Sequence, residues 1–271
     1  MSDYPRFKNL TALITGASSG FGEEFARQLA PHTRQLILIA RRRNRLESIK
    51  QTLEKHHSSL NVTVIQADLS LPNSVEHTVL PALHQLNTSP HILINNAGLG
   101  DYGTFATCPP ARILAQHHVN TTALLSLTHA LLPKMLAERK GFILNVGSIA
   151  GHMPLPTFAL YAATKAYVNS LTLALHAELA HQGIHVSLFA PGPIPTEFRQ
   201  AAQRPDAPPD AGRAPDWLTQ PLSPSIQQAL EALHDNRPLC TPGRTVRLIA
   251  ALMRYAPHVL TLRLFRIAIP R

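Results

Sequence analysis

Short apolar runs alternate with amphipathic helix patterns along most of the chain. The apolar runs are nearly continuous, which is typical of strands covered on both faces in a parallel sheet. Because crossovers between parallel strands are right-handed, helices lie on both faces of such a sheet. The pattern predicts an α/β fold with a single Rossmann-like, doubly wound parallel sheet of about seven strands. The predicted strands are residues 10–15, 35–40, 62–69, 91–98, 141–148 and 185–192, with a short seventh near 237–243.

The composition narrows the class of protein. A chain of 271 residues with 45% apolar residues is long enough for one large α/β domain. It has no uncharged apolar run of about 18 residues and no signal-peptide pattern at its start, so neither a membrane span nor secretion is predicted. Two cysteines, Cys108 and Cys240, form no metal or disulfide framework, which favours a reducing, cytoplasmic location.

The composition of the chain changes after Gly192, where proline, alanine and aspartate become frequent. We therefore predict one domain over residues 1–243, with a substrate loop at about 193–224, and a basic apolar C-terminal tail over 244–271. The formal net charge of +9 is compatible with nucleic acid, an anionic membrane, an anionic ligand or only a basic surface. The tail either packs against a partner subunit or the loop, or lies on an anionic membrane.

The motif "TGASSGFG" follows the first strand and opens a helix. In this context Gly16 permits a tight turn, Gly20 lets the backbone approach a pyrophosphate, and Gly22 lets the helix pack close to the strand. The helix N-terminus offers free N–H groups to phosphate. The alternative is an ordinary strand–helix turn that tolerates glycine.

The second strand ends in "ARRRNR", with Ala40 where an acidic residue would bind the ribose hydroxyl of NAD. Arginine at this point accommodates the 2′-phosphate of NADP, since a guanidinium pairs well with phosphate. We predict NADP (NADPH) as the cofactor, with Arg41 as the first choice and Arg42 as the second. Arg43 and Arg45 fit a solvated helix start.

Further motifs follow in order: "ADL" at 67–69, "NNAG" at 95–98, Asn120 in a helix, "GSIAG" at 147–151, "YAATK" at 161–165 and "PGPIPT" at 191–196. Together with the glycine turn, this set closely resembles the short-chain dehydrogenase/reductase family, in the G-x-x-x-G-x-G and Y-x-x-x-K branch. The resemblance covers about residues 9 to 200. It implies a catalytic set of Asn120, Ser148, Tyr161 and Lys165.

The resemblance also implies a cofactor-binding set. These residues are Gly16, Ser18, Ser19, Gly20, Phe21, Gly22, Arg41, Arg42, Asp68, Leu69, Asn95, Ala97, Gly98, Tyr161, Lys165, Pro191, Gly192, Ile194 and Thr196. Asp68 would face the adenine, and the segment from Pro191 would run beside the nicotinamide. Family members commonly form homodimers or homotetramers, so one of these states is expected.

The chemistry of the pair Tyr161 and Lys165 agrees with these roles. Residues four apart share one helix face, and an ammonium near a tyrosine favours the phenolate and lowers the pKa of the hydroxyl. Tyr161 would act as general acid or base toward a carbonyl or secondary alcohol, with Ser148 stabilising the substrate oxygen. Lys165 would also bind the nicotinamide ribose. Asn120 would support a proton relay, or is simply a satisfied helix residue.

The candidate substrate contacts are Ser148, Tyr161, His152, Phe198 and Trp217. For the two aromatic residues of the loop, packing in a solvated segment is the alternative. No histidine spacing predicts a metal site. The protein is thus predicted to be an NADP-dependent oxidoreductase with a small-molecule substrate. The alternatives are a non-catalytic NADP-binding, redox-sensing regulator and, on charge alone, a nucleic-acid binder, for which no motif is present.

Overall fold

The computed structural model describes residues 4–208, 210–257, 259 and 262. Seven parallel strands form one sheet in the order β3-β2-β1-β4-β5-β6-β7. The strands are β1 Thr11–Thr15, β2 Gln35–Ala40, β3 Asn61–Gln66, β4 Ile92–Asn95, β5 Gly141–Val146, β6 Ile184–Phe189 and β7 Leu239–Cys240. The order of strands reverses between β1 and β4, and ligands bind at such a switch point in open α/β sheets.

Helices lie between these strands along the chain, and a further helix follows β7. They are α1 Gly20–Leu29, α2 Arg43–His56, α3 Leu80–Gln85, α4 Pro110–His117, α5 Ala123–Ala137, α6 Ala159–Leu179, α7 Phe198–Ala202, α8 Leu222–His234 and α9 Arg244–Tyr255. A π-helical turn, Val75–Val79, precedes α3, and a second one, His118–Thr122, joins α4 to α5. The sequence pattern predicts one long helix at about residues 111–139, and the structure interrupts it by the π-helical turn His118–Thr122.

Two apolar cores confirm that helices cover both faces of the sheet. On one face Phe25 of α1 and Leu230 of α8 pack with strand residues such as Ile14. On the other face Leu127 of α5 packs with residues such as Leu13. Leu13 and Ile14, which are neighbours on β1, therefore point into the cores on opposite faces of the sheet, because side chains alternate along a strand. The predicted doubly wound α/β fold of seven strands is confirmed.

The start of α8 differs from the sequence expectation. The sequence "SPSIQQALEALHDN" predicts a helix capped by Ser223 or Ser225, but α8 begins at Leu222 after Pro221, without a side-chain cap. The Ser225 hydroxyl instead donates to the Pro221 carbonyl, 2.7 Å away. Pro224 falls in the first turn of α8, where its missing N–H costs no internal hydrogen bond.

The first part of the expected tail is helix α9, which packs onto the domain. Val246 is fully buried, and with Ala250 it forms a small core with Ile149. Residues 258, 260, 261 and 263–271 of the tail lie outside the described residues, so the division at residue 243 stays a prediction. No helix in the described part of the chain has the length and apolar character to cross a membrane.

Candidate active site

The glycine-rich turn joins the end of β1 to the start of α1. Gly16 has φ +65°, a conformation that favours glycine. A Cβ atom at Gly22 would collide with the Gly16 carbonyl oxygen and approach the Ala17 Cα to 2.8 Å. Gly20 is the first residue of α1, beside Thr196 of the 191–196 segment. The turn therefore brings backbone close to backbone at the N-terminus of a helix, where an anion is favoured.

A cavity of about 440 Å³ lies beyond the ends of β2 and β3. Arg41 and Asp68, both assigned to the cofactor from the sequence, line it together. The Asp68 carboxylate accepts hydrogen bonds from the Ser70 N–H and hydroxyl, which fix its orientation. Leu69, in contrast, is buried in the core beneath.

Arg42 reaches back across the glycine-rich turn. Its guanidinium donates to the hydroxyl oxygens of Ser18 and Ser19, at 3.2 and 2.7 Å. It also pairs with the Glu197 carboxylate at 2.9 Å, and Arg45 pairs with the same carboxylate at 2.9 Å. Among the described residues, Arg41 makes no ion pair of this kind. The two arginines proposed for the 2′-phosphate therefore have different surroundings.

The motif "NNAG" after β4 contacts both the core of the sheet and the glycine-rich turn. The Asn95 amide is buried and donates to Thr128 and to Asn145 on β5, so it ties the sheet to α5 rather than facing the turn. The Asn96 amide, which was not assigned individually, donates to the Thr15 carbonyl at 2.8 Å. The neighbouring Ala97 N–H donates to the Thr15 hydroxyl. Asn96 thus holds the glycine turn in place.

Asn120 lies within the second π-helical turn and is almost completely buried. Its amide exchanges two hydrogen bonds with the backbone of Leu99, at 2.8 and 2.9 Å, and donates to the Thr164 hydroxyl. Asn120 therefore connects the segment after β4 to helix α6. A π-helical turn at such a position is frequent at functional sites.

Tyr161 and Lys165 lie in the first turns of α6 with both side chains buried. The Lys165 Nζ donates to the Val146 carbonyl at the end of β5, 2.7 Å away, and lies 5.6 Å from the centre of the Tyr161 ring. The Gly98 Cα, without a side chain, leaves room for Lys165 and Asn120 beside it. The predicted pair therefore does share one helix face, and that face is turned into the protein.

Ser148 follows β5 and caps a short 3₁₀ turn, Ile149–His152, where its hydroxyl accepts from the Ala150 N–H. Asn169 fixes the backbone of Ser148 from both sides: its oxygen accepts from the Ser148 N–H and its amide donates to the Ser148 carbonyl. Sequence reasoning missed Asn169. The available signal was spacing, because Asn169 follows Lys165 by four residues and Tyr161 by eight on the same face.

Burial dominates the ionisation of this pair. It raises the pKa of the Tyr161 hydroxyl well above its usual range, and a hydrogen bond with the Ser148 side chain opposes the rise. Burial lowers the pKa of the Lys165 ammonium to about 8. Loss of solvent disfavours the charged form of each group. In the protein chain by itself burial outweighs any effect of the Lys165 charge, and the expectation that Lys165 lowers the pKa of Tyr161 stays a prediction.

Aromatic rings surround Tyr161. Phe158 stacks on it with ring centres 4.3 Å apart, and Tyr102 stacks on Phe158 in turn, at 4.2 Å. Phe198, an expected substrate contact, lies 5.4 Å from Tyr161 at a tilt. The Trp217 ring is 65% exposed and joins none of the ring contacts found in the described residues. Phe198 is thus a neighbour of Tyr161, while its role as a substrate contact stays a prediction, and sequence reasoning missed Tyr102 and Phe158 as neighbours of this ring.

The 191–196 segment runs from the Ser148 turn to the glycine turn. The Pro191 carbonyl accepts from the Ile149 N–H, and Gly192 packs against Val246 of α9. Ile194 packs on the core of α1, where Phe21 also lies against Phe189. His152 is half-buried, and burial together with the charge of Arg254 lowers its pKa. None of the described residues form a three-ligand cluster suited to a metal ion.

The arrangement fits a dinucleotide. The close-packed glycine turn at a helix N-terminus suits a pyrophosphate, and a separate cavity lined by Arg41 and Asp68 lies beyond the ends of β2 and β3. Tyr161, Lys165 and Ser148 lie on the other side of the switch point, beyond β5. A group bound across this edge of the sheet would extend from the arginines to the buried tyrosine.

Comparisons with known proteins agree with this architecture. The family model described as short chain dehydrogenase matches residues 10–207. Sulfoacetaldehyde reductase of Chromohalobacter salexigens is 37% identical over 196 residues, which are 68% of this chain and 72% of that protein. Serine 3-dehydrogenase of Agrobacterium fabrum is 32% identical over 193 residues, 69% of this chain and 73% of that protein.

Solved structures give the same result. A short-chain dehydrogenase from Sphingobium yanoikuyae in complex with NADPH superposes with a TM-score of 0.78 at 29% identity, over 97% of this chain and 96% of that one. A short-chain dehydrogenase/reductase from Burkholderia phymatum in complex with NAD has a TM-score of 0.78 at 26% identity, over 91% and 93%. Because the family model matches well over half of the sequence, the protein belongs to the short-chain dehydrogenase family and is an oxidoreductase.

Proposed function

We propose that the protein interconverts a small carbonyl compound and its alcohol, with NADP(H) as the cofactor. The observation that carries this proposal is the convergence of Tyr161, Lys165 and Ser148 at the end of β5. The glycine turn follows β1, at the same edge of the sheet but on the other side of the switch point between β1 and β4. A tyrosine with a raised pKa keeps its proton at neutral pH and can give it to a developing alkoxide. The Ser148 hydroxyl is placed to donate a hydrogen bond to the same oxygen.

Each residue then has a defined task. When bound, the nicotinamide supplies the hydride for the carbonyl carbon. Tyr161 gives its proton to the carbonyl oxygen in reduction and removes it in oxidation. Lys165, with its pKa near 8, binds the nicotinamide ribose and helps Tyr161 regain its proton, and Asn120 supports this relay from the π-helical turn. The aromatic rings around Tyr161 keep water from its hydroxyl.

The preference for NADP is part of the proposal, with Arg41 as the 2′-phosphate ligand. Arg42 is already paired with Glu197, whereas Arg41 lines the cavity beside Asp68. We expect Arg41→Ala to raise the KM for NADPH about 10- to 100-fold, because a charge-assisted hydrogen bond to the 2′-phosphate is lost. The KM for NADH, which has no 2′-phosphate, should change less than about twofold. Initial rates with both cofactors measure this. Arg43→Ala, which removes an exposed arginine paired with Glu47, is the matched control. Equal effects on NADPH and NADH would refute the assignment.

The pKa of Lys165 predicts a pH dependence. Below about pH 8 the ammonium is charged, and above it the charge is lost, so kcat/KM for carbonyl reduction should be level at neutral pH and fall about tenfold per unit above pH 8. The pKa of Tyr161 is too high to cause the fall in kcat/KM above pH 8. A Lys165→Arg variant, whose side chain stays charged, should lack the fall even if it is less active. A level profile to pH 10 in the unchanged protein would contradict the role of Lys165.

The direct test of the proposed reaction is the oxidation of NADPH, followed by absorbance, with a panel of aldehydes and ketones. Turnover with at least one of them is expected. Tight binding of NADPH without turnover on any member would favour the redox-sensing regulator instead. A cytoplasmic location and a homodimer or homotetramer remain predictions of the same proposal, checked by cell fractionation and light scattering.

A further inference from the structure

Helix α9 carries a stripe of exposed apolar side chains. Leu248, Leu252 and Tyr255 are 63%, 62% and 80% exposed, and their spacing of four and three residues puts them on one face. Val259 and Leu262, which lie beyond the end of α9 at Tyr255, are also exposed. We call Leu248, Leu252 and Tyr255 the α9 stripe. Side chains of this size in one row mark a surface for binding.

The α9 stripe is not the face by which the helix is attached. Val246, Ala250 and Met253 lie on the opposite side and pack with Ile149 and Leu218. Gly192, next to the proposed nicotinamide segment, lies against Val246 as well. The helix is therefore anchored to the domain by one apolar face, while its second apolar face points away from the protein.

The charge of the region indicates what covers the stripe. Residues 244–271 contain six arginines and no aspartate or glutamate. Arg247 and Arg254 are exposed on α9 itself, to one side of the stripe. A second copy of this helix would bring arginines against arginines, which is unfavourable. An anionic lipid surface offers both an apolar layer for leucine and tyrosine and negative headgroups for arginine.

We propose that α9 docks the protein on anionic membranes, with the α9 stripe in the headgroup region and the arginines on lipid phosphates. The helix lies in the plane of the surface and does not span it. Because α9 packs on the 3₁₀ turn that follows Ser148, docking turns this side of the domain toward the bilayer. The attachment does not depend on the reaction that the site performs.

The test is sedimentation with lipid vesicles. The full chain should pellet with phosphatidylcholine vesicles that contain phosphatidylglycerol, and much less with phosphatidylcholine alone or at high salt. Leu248→Gln together with Leu252→Gln should lower the bound fraction about tenfold. The matched control is Leu114→Gln with Leu125→Gln, two exposed leucines on α4 and α5, which should pellet like the unchanged chain.

Thermal unfolding of each variant checks that the fold is retained, which is expected because the replaced side chains are exposed. Arg247→Gln with Arg254→Gln leaves the stripe intact and should remove the preference for anionic vesicles. Equal pelleting of the stripe variant and the unchanged chain would overturn the proposal, and so would equal binding to neutral and anionic vesicles. A third outcome would also overturn the proposal: the unchanged chain does not bind vesicles and forms a dimer, and the stripe variant is a monomer. That result would show that a second copy of the chain covers the stripe.

Discussion

Replacing Tyr161 by phenylalanine is expected to lower kcat for carbonyl reduction about 10²- to 10⁴-fold, the usual contribution of a positioned general acid. The variant removes one hydroxyl and keeps the ring that stacks on Phe158 and lies beside Phe198. NADPH affinity should change little, because the glycine turn and the arginines that are proposed to hold the nucleotide lie elsewhere. Turnover and NADPH fluorescence titration, measured on the same preparation, separate the two effects.

The matched control is Tyr167→Phe. Tyr167 lies on the same helix six residues later, where its side chain is exposed, and loss of its hydroxyl should leave turnover unchanged. If Tyr161→Phe keeps more than about a tenth of the activity, the proton comes from another group and the proposed mechanism fails. If both variants lose activity equally, the effect lies in helix α6 rather than in the hydroxyl.

Gly22→Ala should have the largest effect on the fold. The added methyl group would collide with the backbone of Gly16 and Ala17, and backbone cannot swing aside as a side chain can. We expect the free energy of unfolding to fall by about 2 to 3 kcal/mol, which is typical of overpacking. For a chain of this size that corresponds to a fall in Tm of about 4 to 12 °C. NADPH affinity should fall with it, because the turn is displaced.

Gly98→Ala provides the comparison. A Cβ atom there would meet Asn120 and Lys165 at 3.6 Å, which is ordinary contact distance, so the Tm should stay within about 2 °C of the unchanged protein. Calorimetry of both variants decides the matter. A Gly22→Ala protein as stable as Gly98→Ala would mean that the turn relaxes at no cost and that Gly22 is not required for close packing.

Much of the fold followed from patterns that are local in the sequence. Continuous apolar runs predicted the parallel strands because both faces of such a sheet are covered. Helix α8 was located correctly but its start was not, since neither serine caps it and the Ser225 hydroxyl bonds to the Pro221 carbonyl instead. The resemblance implies a kink at Asn120, but the π-helical form of this turn was not predicted from the residues, because it depends on the partners that Asn120 finds on Leu99 and Thr164.

The site shows the same division. The four-residue spacing of Tyr161 and Lys165 was sufficient to place them on one face. It did not reveal that Asn169 holds the backbone of Ser148 or that Phe158 and Tyr102 stack beside Tyr161. The contacts of Asn169 with Ser148 and of Tyr102 with Phe158 join segments that are distant in the chain, so no local pattern identifies the partner.

The sequence by itself determined the class of fold, the order of the motifs and the residue types that do the chemistry, because turns, strand runs and helix faces depend on neighbours a few positions away. Only the tertiary structure decided the ionisation of the pair, where burial raises the pKa of Tyr161 and lowers that of Lys165. It also decided that Arg42 pairs with Glu197 and that one face of α9 stays exposed. Desolvation and long-range pairing depend on which elements pack together, and that information is spread over the whole chain.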